Sequence, residues 1–533
     1  MVVVNQAIAE FRRVLTDKYV HVDAASLEPY GWCTIPLERS ISAVLLPDSV
    51  EQIVEIVQIA NSHQVALYPI STGRNWGYGS ALPVRNDNVI VDLGRMNRII
   101  EVHSDLAYAV VEPGVTQGQL HAYLQEKKIS LSLNPTGAGP NCSILGNALE
   151  RGFGIGPNGD HFQAQCGMEV VLADGEVLRT GFGHYAGAKA TYLYKWGLGP
   201  YLDGIFTQSN FGIVTKIGVW LMPTPEAFEV CYITCNSEHQ LGPLIEGVRK
   251  LIASNTFQGP MNLLHRKRAL IMLDRYPWDA MANQTPLDET LVADLASQKK
   301  IGMWNGVGAI CGSTSQVRAA KQTIRKILRD KADRITFLSD RKLQILRRFP
   351  RASGLLLKMN MSEVLKALEG SFGMLKGIPS QMALPLAYWR NRANPSLESE
   401  INPAKDRCGL MWFAPVIPMT MEDVSTFRNI IDPIFREYRF EVCITLTAIN
   451  GRCFDATIPL LYDRTEPEEV RRAQACYDTL VRACRLHGYI PYRLGIQSML
   501  EETTTQDVFW RVVQKLKSAL DPNGILAPGR YAP

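Results

Sequence analysis

The chain has 533 residues, which is more than one ordinary hydrophobic core accommodates, so two domains or one domain with a large insertion are expected. Hydrophobic residues make up 46% and charged residues 20%, values that exclude a largely disordered chain. The net charge of +4 gives no reason to expect nucleic acid or an anionic membrane as a partner. The sequence contains no run of about 18 apolar residues and no signal-peptide pattern, so it predicts no membrane association and a cytoplasmic location.

The cysteines and histidines favour neither disulfides nor a metal site. The 11 cysteines are scattered without a Cys-x-x-Cys pair, and the 9 histidines do not cluster with metal-ligand spacing. His161 beside Asp160 is interpreted as a structural pair. We therefore expect buried, reduced thiols and no bound metal.

The first part of the chain alternates predicted strands and helices. The segment that starts at Ala43-Val-Leu-Leu begins with a predicted short strand. Ser49 then stands where it would cap a helix, whose apolar residues recur at helical spacing. Asp174-Gly175 predicts the turn of a β-hairpin. The other predicted elements are strands at 66–70, 89–93 and 107–115, a helix at 116–127, and an amphipathic helix at the N-terminus. Residues 206–221 close this half of the chain.

The sequence pattern changes after Pro223-Thr-Pro-Glu. Residues 226–486 alternate strands with basic amphipathic helices, such as 316–329, and contain fewer glycine loops. The last segment, Asp521-Pro-Asn-Gly-Ile-Leu-Ala-Pro-Gly-Arg530, is loop-like again. The middle part is interpreted as a separate domain that covers a substrate.

Two glycine-rich loops stand about 60 residues apart. The first is Pro69-Ile-Ser-Thr-Gly-Arg-Asn-Trp-Gly-Tyr-Gly79, and the second is Pro135-Thr-Gly-Ala-Gly-Pro-Asn-Cys-Ser-Ile-Leu-Gly-Asn147. Glycines bring bare backbone N–H groups close to an anion, so the pair suits an extended dinucleotide, although either loop taken alone favours tight turns only. Neither loop matches the Gly-x-Gly-x-x-Gly turn or a Walker loop.

The order of these motifs resembles the vanillyl-alcohol oxidase and p-cresol methylhydroxylase family of flavoproteins. The resemblance runs through Gly146-Asn-Ala-Leu-Glu-Arg-Gly152, Gly159-Asp-His-Phe, Cys166-Gly-Met-Glu-Val-Val-Leu-Ala-Asp-Gly-Glu and Gly199-Pro-Tyr-Leu-Asp-Gly-Ile-Phe-Thr-Gln-Ser-Asn-Phe-Gly. It returns at Met411-Trp-Phe-Ala-Pro-Val, Tyr492-Arg493 and Ile525-Leu-Ala-Pro-Gly-Arg530. It implies an α+β fold with a bipartite FAD-binding domain (1–225 and 487–533) and an inserted α/β cap domain (226–486).

The same resemblance implies FAD as the cofactor, with its pyrophosphate on the first glycine loop. The residues it assigns to cofactor binding are Ser71, Thr72, Gly73, Arg74, Asn75, Gly77, Gly79, Pro135, Thr136, Gly137, Gly146, Asn147, Gly152, Gly159, Ile213, Val214 and Arg530. Arg530 is expected to place a positive charge near the flavin; its alternative is a bond to backbone carbonyls.

The family oxidises para-substituted phenols that bind as phenolates. A phenol has a pKa near 10, so holding its oxyanion calls for a positive charge and preorganised donors in a dry pocket. The resemblance assigns this clamp to Tyr78, Tyr492 and Arg493. Without it, a Tyr-Arg dipeptide and a loop tyrosine are ordinary packing features.

Two further residues have implied roles at the substrate. Glu150 stands where some members carry an aspartate close to flavin N5; the alternative is an ion pair with Arg151 or another base. Trp412 is expected to line the substrate cavity, although aromatic residues in such a run are often core.

Some family members link the flavin covalently to a histidine or a tyrosine. The histidine position, two residues before Trp412, is Leu410 here, and Tyr388 is the only candidate for the tyrosyl link. A non-covalent flavin is therefore favoured.

The resulting hypothesis is hydride transfer from the benzylic carbon of a para-substituted phenol to FAD, through a quinone methide. The electron acceptor is O2, as in an oxidase, or a small electron-transfer protein such as a cytochrome c or an azurin-like protein, as in a dehydrogenase. A sugar or aldonolactone oxidase and a non-catalytic flavin-binding protein are less favoured, because neither needs the phenolate clamp. The family forms dimers and larger assemblies, which implies a homo-oligomer.

Overall fold

A computed structural model describes residues 2–349, 361–393, 395–397 and 400–532 of the chain. Within these residues the strands, in chain order, are β1 (Val20–His21), β2 (Ile41–Leu45), β3 (Leu67–Ile70), β4 (Asn88–Asp92), β5 (Ile99–His103), β6 (Tyr108–Val111), β7 (Leu131–Ser132), β8 (Gln165–Val171), β9 (Val177–Arg179), β10 (Ile213–Trp220), β11 (Met222–Pro223), β12 (Ala227–Cys235), β13 (Met261–His265), β14 (Trp304–Gly312), β15 (Arg334–Ser339), β16 (Cys408–Phe413), β17 (Pro415–Pro418), β18 (Thr445–Ala448), β19 (Cys453–Asp463) and β20 (Ile490–Pro491).

The α-helices of the same residues are α1 (Val2–Leu15), α2 (Ala24–Gly31), α3 (Val50–His63), α4 (Gln117–Glu126), α5 (Ile144–Leu149), α6 (Leu241–Ala253), α7 (Arg266–Leu270), α8 (Glu289–Gln298), α9 (Thr314–Leu328), α10 (Asp340–Arg348), α11 (Met361–Leu375), α12 (Met421–Glu437), α13 (Pro467–Leu486), α14 (Met499–Glu502) and α15 (Val508–Leu520). Short 3-10 turns occupy Asp17–Tyr19, Leu93–Arg95, Asp203–Phe206, Glu238–Gln240 and Leu384–Tyr388.

Two smaller sheets carry the glycine loops. The first has the order β1-β2-β4-β3, with β2, β4 and β3 parallel, and packs against α1 and α3. The second, β5-β6-β10-β8-β9, is antiparallel and packs against α4 and α5. Ser49 caps α3 as predicted, since its side chain accepts a hydrogen bond from Gln52 N–H. Thr116, the first residue of the predicted helix 116–127, caps α4 in the same way by accepting from Gln119 N–H.

The C-terminal segment returns to the first sheet. Leu67 N–H donates to the carbonyl of Ile525 at 2.7 Å, and Ala527 N–H donates to the carbonyl of Leu67 at 2.7 Å. Buried Lys517 holds this segment, because its Nζ donates to Asp521 at 2.5 Å and to the carbonyl of Leu526 at 2.8 Å. The tail thus extends the sheet beside the first glycine loop.

The residues between these parts build a nine-stranded antiparallel sheet of order β15-β12-β14-β13-β18-β19-β17-β20, with β16 also paired to β19. Leu263, Leu446 and Ala456 point to the face covered by helices, where they join the largest apolar core. Their neighbours alternate to the opposite face, as side chains on a strand must. That opposite face carries Asn262, Thr445, Thr447, Asp455 and Thr457.

Candidate active site

A cavity of about 470 Å³ lies between the two glycine loops, the C-terminal tail and the polar face of the nine-stranded sheet. Its walls therefore come from segments that are hundreds of residues apart in sequence. Such a cavity, with a few convergent polar groups, is the expected form of a cofactor and substrate site.

Most of the residues predicted to bind the cofactor border this cavity: Ser71, Thr72, Gly73, Arg74, Asn75, Thr136, Gly137, Gly146, Asn147, Gly152, Val214 and Arg530. The other predicted residues, Gly77, Gly79, Pro135, Gly159 and Ile213, lie behind its wall. A Cβ on Gly77 would come within 2.3 Å of Trp412, and one on Gly159 within 2.6 Å of Pro260, so these glycines allow close packing of the wall. Contact of these five residues with the cofactor stays a prediction.

The two glycine loops are held together by polar contacts. Ser143 N–H donates to Thr72 Oγ1 at 3.2 Å. Buried Gln117 braces the second loop: its Nε2 donates to the carbonyl of Gly139 at 2.6 Å, and its Oε1 accepts from Thr136 N–H at 3.0 Å. Gly73 has a left-handed φ of 65°, and a Cβ on Gly146 would come within 3.1 Å of Ser71 Oγ. The loops form a narrow cradle lined by backbone and hydroxyl groups, which suits a phosphate.

Tyr78, Tyr492 and Arg493 meet at the far end of the cavity. The Arg493 guanidinium lies 4.2 Å from the centre of the Tyr78 ring. Its Nη2 donates to Asn75 Oδ1 at 2.5 Å, and its Nε donates to Glu150 Oε2 at 3.0 Å. These contacts fix the plane of the guanidinium, since its donors stand in a rigid fork.

Both tyrosine hydroxyls stay protonated at neutral pH. Burial raises the pKa of Tyr78 well above its ordinary value, although the Arg493 charge opposes the shift. Burial also raises the pKa of Tyr492, and the Asp455 charge adds to it, while Arg493 and a hydrogen bond with Tyr78 act against it. The two hydroxyls are therefore available as donors to an anion.

Glu150 links two arginines. Besides accepting from Arg493, it forms an ion pair with Arg530, whose Nη1 also donates to the Tyr68 hydroxyl at 2.8 Å. The alternative expected for Glu150 was an ion pair with Arg151 or another base, and the partners found are the other bases Arg493 and Arg530. Arg151 instead donates to the Thr207 hydroxyl at 3.0 Å. Glu150 and Arg530 both border the cavity.

Asp455 is a site residue that the sequence analysis missed. It borders the cavity on β19, is 4% exposed, and its Oδ2 accepts from the Thr457 hydroxyl at 2.9 Å, while Oδ1 has no partner in the described residues. Burial raises the pKa of Asp455 to about 7. The available signal was the polar–apolar alternation of Thr445-Leu-Thr-Ala and Asp455-Ala-Thr-Ile, which predicts a strand with one polar face.

Trp412 borders the cavity from β16, as predicted. Its backbone N–H donates to the carbonyl of Gly77 at 3.3 Å, which holds β16 beside the loop that carries Tyr78. The guanidinium of Arg268, a second missed residue, lies 6.0 Å from the Trp412 ring. Arg268 belongs to the run Arg266-Lys-Arg, a pattern typical of an exposed basic turn. The sequence therefore did not indicate that Arg268 borders a cavity.

Among the residues that the structure describes, no helix is both long and apolar enough to cross a bilayer. In the same residues, no group of three His, Cys, Asp or Glu side chains is arranged to hold a metal ion.

Comparison with known proteins agrees with this geometry. Residues 41–181 match the family model described as an FAD binding domain. The chain is 39% identical over 528 residues to 1'-carboxy-chondrochloren decarboxylase of Chondromyces crocatus, covering 99% of this chain and 97% of that protein. It is 32% identical over 534 residues to the flavoprotein subunit of 4-cresol dehydrogenase (hydroxylating) of Pseudomonas putida, covering 99% and 95%.

Solved structures give the same result. A crystal structure of p-cresol methylhydroxylase with substrate bound has a TM-score of 0.89 and 30% identity, covering 100% of this chain and 97% of that one. The 4-ethylphenol oxidase of Gulosibacter chungangensis, in complex with isoeugenol, has a TM-score of 0.88 and 29% identity, covering 99% and 97%. The chain belongs to the vanillyl-alcohol oxidase and p-cresol methylhydroxylase family of FAD-dependent oxidoreductases.

Membership of this family confirms three predictions made from the sequence. The fold is the mixed α+β fold of p-cresol methylhydroxylase, the chain is an enzyme of the FAD-dependent oxidoreductase class, and FAD is its cofactor. The glycine cradle at one end of the cavity fits the pyrophosphate of FAD. The division of the chain at residues 225 and 486 stays a prediction.

The two positions at which this family links FAD covalently have different environments here. Leu410 borders the cavity and has no group that forms such a bond. Tyr388 is fully buried behind the cavity wall in the turn Leu384–Tyr388, and its hydroxyl donates to Asp406 Oδ2 at 2.5 Å. Burial also raises the pKa of the Tyr388 phenol, so it is held as a neutral donor. These positions give a tyrosyl link no geometric support.

We therefore expect FAD to leave the polypeptide on denaturation. Precipitating the purified holoenzyme with acid should leave the yellow colour in the supernatant, since only non-covalent contacts hold the cofactor. A Tyr388→Phe variant should release the same fraction of FAD as the wild type. Colour that stays in the wild-type pellet but not in the variant pellet would establish the tyrosyl link.

Proposed function

We propose that this enzyme oxidises para-substituted phenols by removing a hydride from the carbon attached to the ring. The observation that carries the proposal is the convergence of Tyr78, Tyr492 and Arg493 at one end of the cavity. One guanidinium and two neutral hydroxyls are the groups that stabilise a phenolate oxygen. A deprotonated ring oxygen pushes electron density toward the para carbon, which makes loss of hydride from the benzylic position easier.

The charges around this end of the cavity suit one anion. Arg493 and Arg530 each carry a positive charge, and Glu150 between them carries one negative charge. The trio therefore has one excess positive charge, which a bound phenolate neutralises. In a buried site such a charge is worth more than in water, because the effective dielectric constant is lower.

Bound FAD supplies the acceptor for the two electrons of the hydride. The protein groups do the rest: the clamp holds the ring oxygen, Trp412 restricts the ring from the side, and the Glu150 carboxylate fixes the Arg493 guanidinium. A direct role of Glu150 in guiding water onto a quinone methide stays a prediction. Our candidate to receive the phenol proton is Asp455, whose charge acts on both clamp tyrosines.

The pH dependence of the reaction tests the role of Asp455. As a base it must be ionised, so kcat/KM should rise with pH through an inflection near 7, the pKa to which burial raises this carboxyl. In Asp455→Asn this inflection should disappear and the rate should fall roughly 10²-fold. Initial rates from pH 5 to 9, with Asp432→Asn as a control for loss of a carboxylate outside the cavity, give the comparison. An unchanged inflection in Asp455→Asn would rule out this base.

The proposed hydride transfer is tested most simply by anaerobic reduction of the bound FAD. A panel of p-methyl-, p-ethyl- and p-propylphenol should bleach the flavin absorbance, and each should yield the corresponding alcohol or alkene. If no para-substituted phenol bleaches the flavin, the proposal fails and a non-phenolic substrate must be sought.

The electron acceptor decides whether the enzyme is an oxidase or a dehydrogenase. Mixing the reduced enzyme with air-saturated buffer distinguishes them: reoxidation within seconds indicates an oxidase, and reoxidation over many minutes indicates a dehydrogenase. In the second case a small electron-transfer protein is the partner. The Pseudomonas putida relative, named as a flavoprotein subunit, supports testing a cytochrome c for this role.

A second candidate function is oxidative decarboxylation, which the name of the Chondromyces crocatus relative favours. Loss of a benzylic hydride converts a phenolate into a quinone methide. A carboxylate on the next carbon can then leave as CO2: the C–C bond pair forms a C=C bond and the ring regains its phenolate. One CO2 per FAD reduced, with a p-vinylphenol product from p-hydroxyphenylpropanoate, would establish this function; retention of the carboxylate in the product would exclude it.

A further inference from the structure

Arg268 borders the same cavity at a distance from the phenolate clamp. It lies on the short helix α7, which follows strand β13, and its Nε donates to the Thr445 hydroxyl on β18 at 3.1 Å. Its Nη1 is fully buried and has no hydrogen-bond partner in the described residues. Its guanidinium is also 6.0 Å from the ring of Trp412. Nε is thus held by the protein, while Nη1 is left without a partner in the described residues.

The charge on Arg268 is uncompensated. Burial lowers the pKa of Arg268 to about 10, so the side chain is still cationic at neutral pH. Within the described residues no carboxylate pairs with it, and the neighbouring thiol of Cys443 is neutral because burial raises its pKa to about 12. A desolvated charge without a counter-ion is costly, so proteins keep one mainly where a ligand completes the pair.

The position of Arg268 is set relative to the clamp by the strand register. Thr445, its anchor, precedes Thr447 by two residues, so both point to the cavity face of the sheet. Thr447 is paired with Asp455, whose charge acts on Tyr78 and Tyr492. At about 3.4 Å per residue, Thr445 beside Arg268 and Thr447 beside Asp455 are roughly 7 Å apart along the strand. That separation suits a molecule with a phenol ring at one end and a short side chain at the other.

We propose that Arg268 binds a carboxylate on the para side chain of the substrate, so that the preferred substrates are p-hydroxyphenyl carboxylic acids. This inference rests on the proposed function, since the clamp must hold the ring oxygen while Arg268 holds the acid. It applies whether the carboxylate is retained or lost after hydride removal. The Trp412 ring lies 6.0 Å from the Arg268 guanidinium and packs against Gly77 of the loop that carries Tyr78, so it would contact the ring of such a substrate.

The experiment compares ligands that differ only in charge. p-Hydroxyphenoxyacetate and p-hydroxyphenoxyacetamide have the same shape and carry oxygen in place of the benzylic carbon, so neither is oxidised there. Binding to the oxidised holoenzyme is measured by calorimetry at pH 7. The acid should bind about 10- to 100-fold more tightly than the amide, as for a charge-assisted hydrogen bond to a carboxylate.

The variants then assign the preference to this side chain. Arg268→Gln should abolish the preference while leaving the affinity for the amide within about threefold, and Arg268→Lys should keep part of it because the charge remains. Arg511→Gln, which removes an exposed arginine of α15, should behave as the wild type. Arg268→Gln removes an unpaired charge, so its melting temperature should not fall. Equal affinity of the wild type for acid and amide, or equal losses for both in Arg268→Gln, would overturn the inference.

A parallel measurement separates this inference from the proposed function. Anaerobic reduction of FAD by p-ethylphenol tests the phenol chemistry without any carboxylate, and p-hydroxyphenylpropanoate against its primary amide tests Arg268. Reduction by p-ethylphenol with no advantage of the acid over its amide rejects the role of Arg268 alone. Absence of reduction by every phenol, acid included, rejects both.

Discussion

Replacement of Arg493 by methionine is expected to lower kcat/KM for a p-alkylphenol by at least about a hundredfold, on the order of 3 kcal/mol of transition-state stabilisation. Arg493 supplies the guanidinium that lies over the Tyr78 ring. A hydrogen bond also joins Arg493 to Tyr492. Methionine keeps much of the volume and removes the charge. The phenol would then have to ionise beside two neutral hydroxyls, with Asp455 close by.

The substitution should leave the fold intact, which makes the loss of activity interpretable. Glu150 keeps its ion pair with Arg530 when Arg493 is removed, so no buried carboxylate is left alone. Arg493→Lys should lie between the wild type and Arg493→Met, because a lysine keeps the charge and loses the fork. Stopped-flow rates of FAD reduction, with the FAD content and melting temperature of each variant, provide the comparison. A fall of less than about tenfold in Arg493→Met would exclude Arg493 as the oxyanion partner.

Methylation of the phenol oxygen is expected to abolish turnover. A p-alkylanisole cannot form the phenolate, so the electron density that promotes hydride loss never reaches the para carbon. The methyl ether oxygen is also uncharged, so the protonated hydroxyls of Tyr78 and Tyr492 would have no anion to stabilise. We expect p-ethylanisole to reduce FAD at least about 10³-fold more slowly than p-ethylphenol, since the loss of the oxyanion removes the largest catalytic contribution.

The binding of p-ethylanisole must be measured as well, so that weak binding is not mistaken for a slow chemical step. p-Ethylanisole should displace an inert phenol only weakly. A saturating concentration of p-ethylanisole should not restore the rate of FAD reduction. Turnover of p-ethylanisole and p-ethylphenol at similar rates would remove the phenolate from the mechanism and leave the clamp as a neutral binding pocket.

Local features of the fold were predictable from the sequence because short-range rules decide them. Ser49 and Thr116 cap α3 and α4, and the hairpin β8–β9 turns at Asp174-Gly175 with Gly175 at a left-handed φ of 89°. The nine-stranded sheet could not be predicted from such short-range rules. Its strand order brings β13 next to β18, and neither strand carries information about its partner.

The clamp was predictable only through the family resemblance. Tyr78 is more than 400 residues from Tyr492 and Arg493, and composition or periodicity cannot bring them together. The cofactor assignments of Gly77 and Gly159 came from the same resemblance and stay predictions. In the structure these two glycines make room for Trp412 and Pro260.

Charge pairing was the least predictable property of the site. Arg151 is adjacent to Glu150 in sequence, yet the carboxylate pairs with Arg493 and Arg530 from the distant end of the chain. Asp455 and Arg268 owe their importance to burial beside the cavity, a tertiary property. Sequence patterns give the residue types of such groups and not their surroundings.

The claim on which the account depends is that the cavity holds a deprotonated phenol. It is tested most directly by titrating the oxidised holoenzyme with p-hydroxybenzaldehyde, at a pH about one unit below the pKa of the free ligand, and reading the phenolate absorption band. The clamp should lower the pKa of the bound ligand, so the band should appear on binding to the wild type and be absent with Arg493→Met. A ligand that binds to the wild type in its neutral form, or shows the same band in both proteins, would contradict the account.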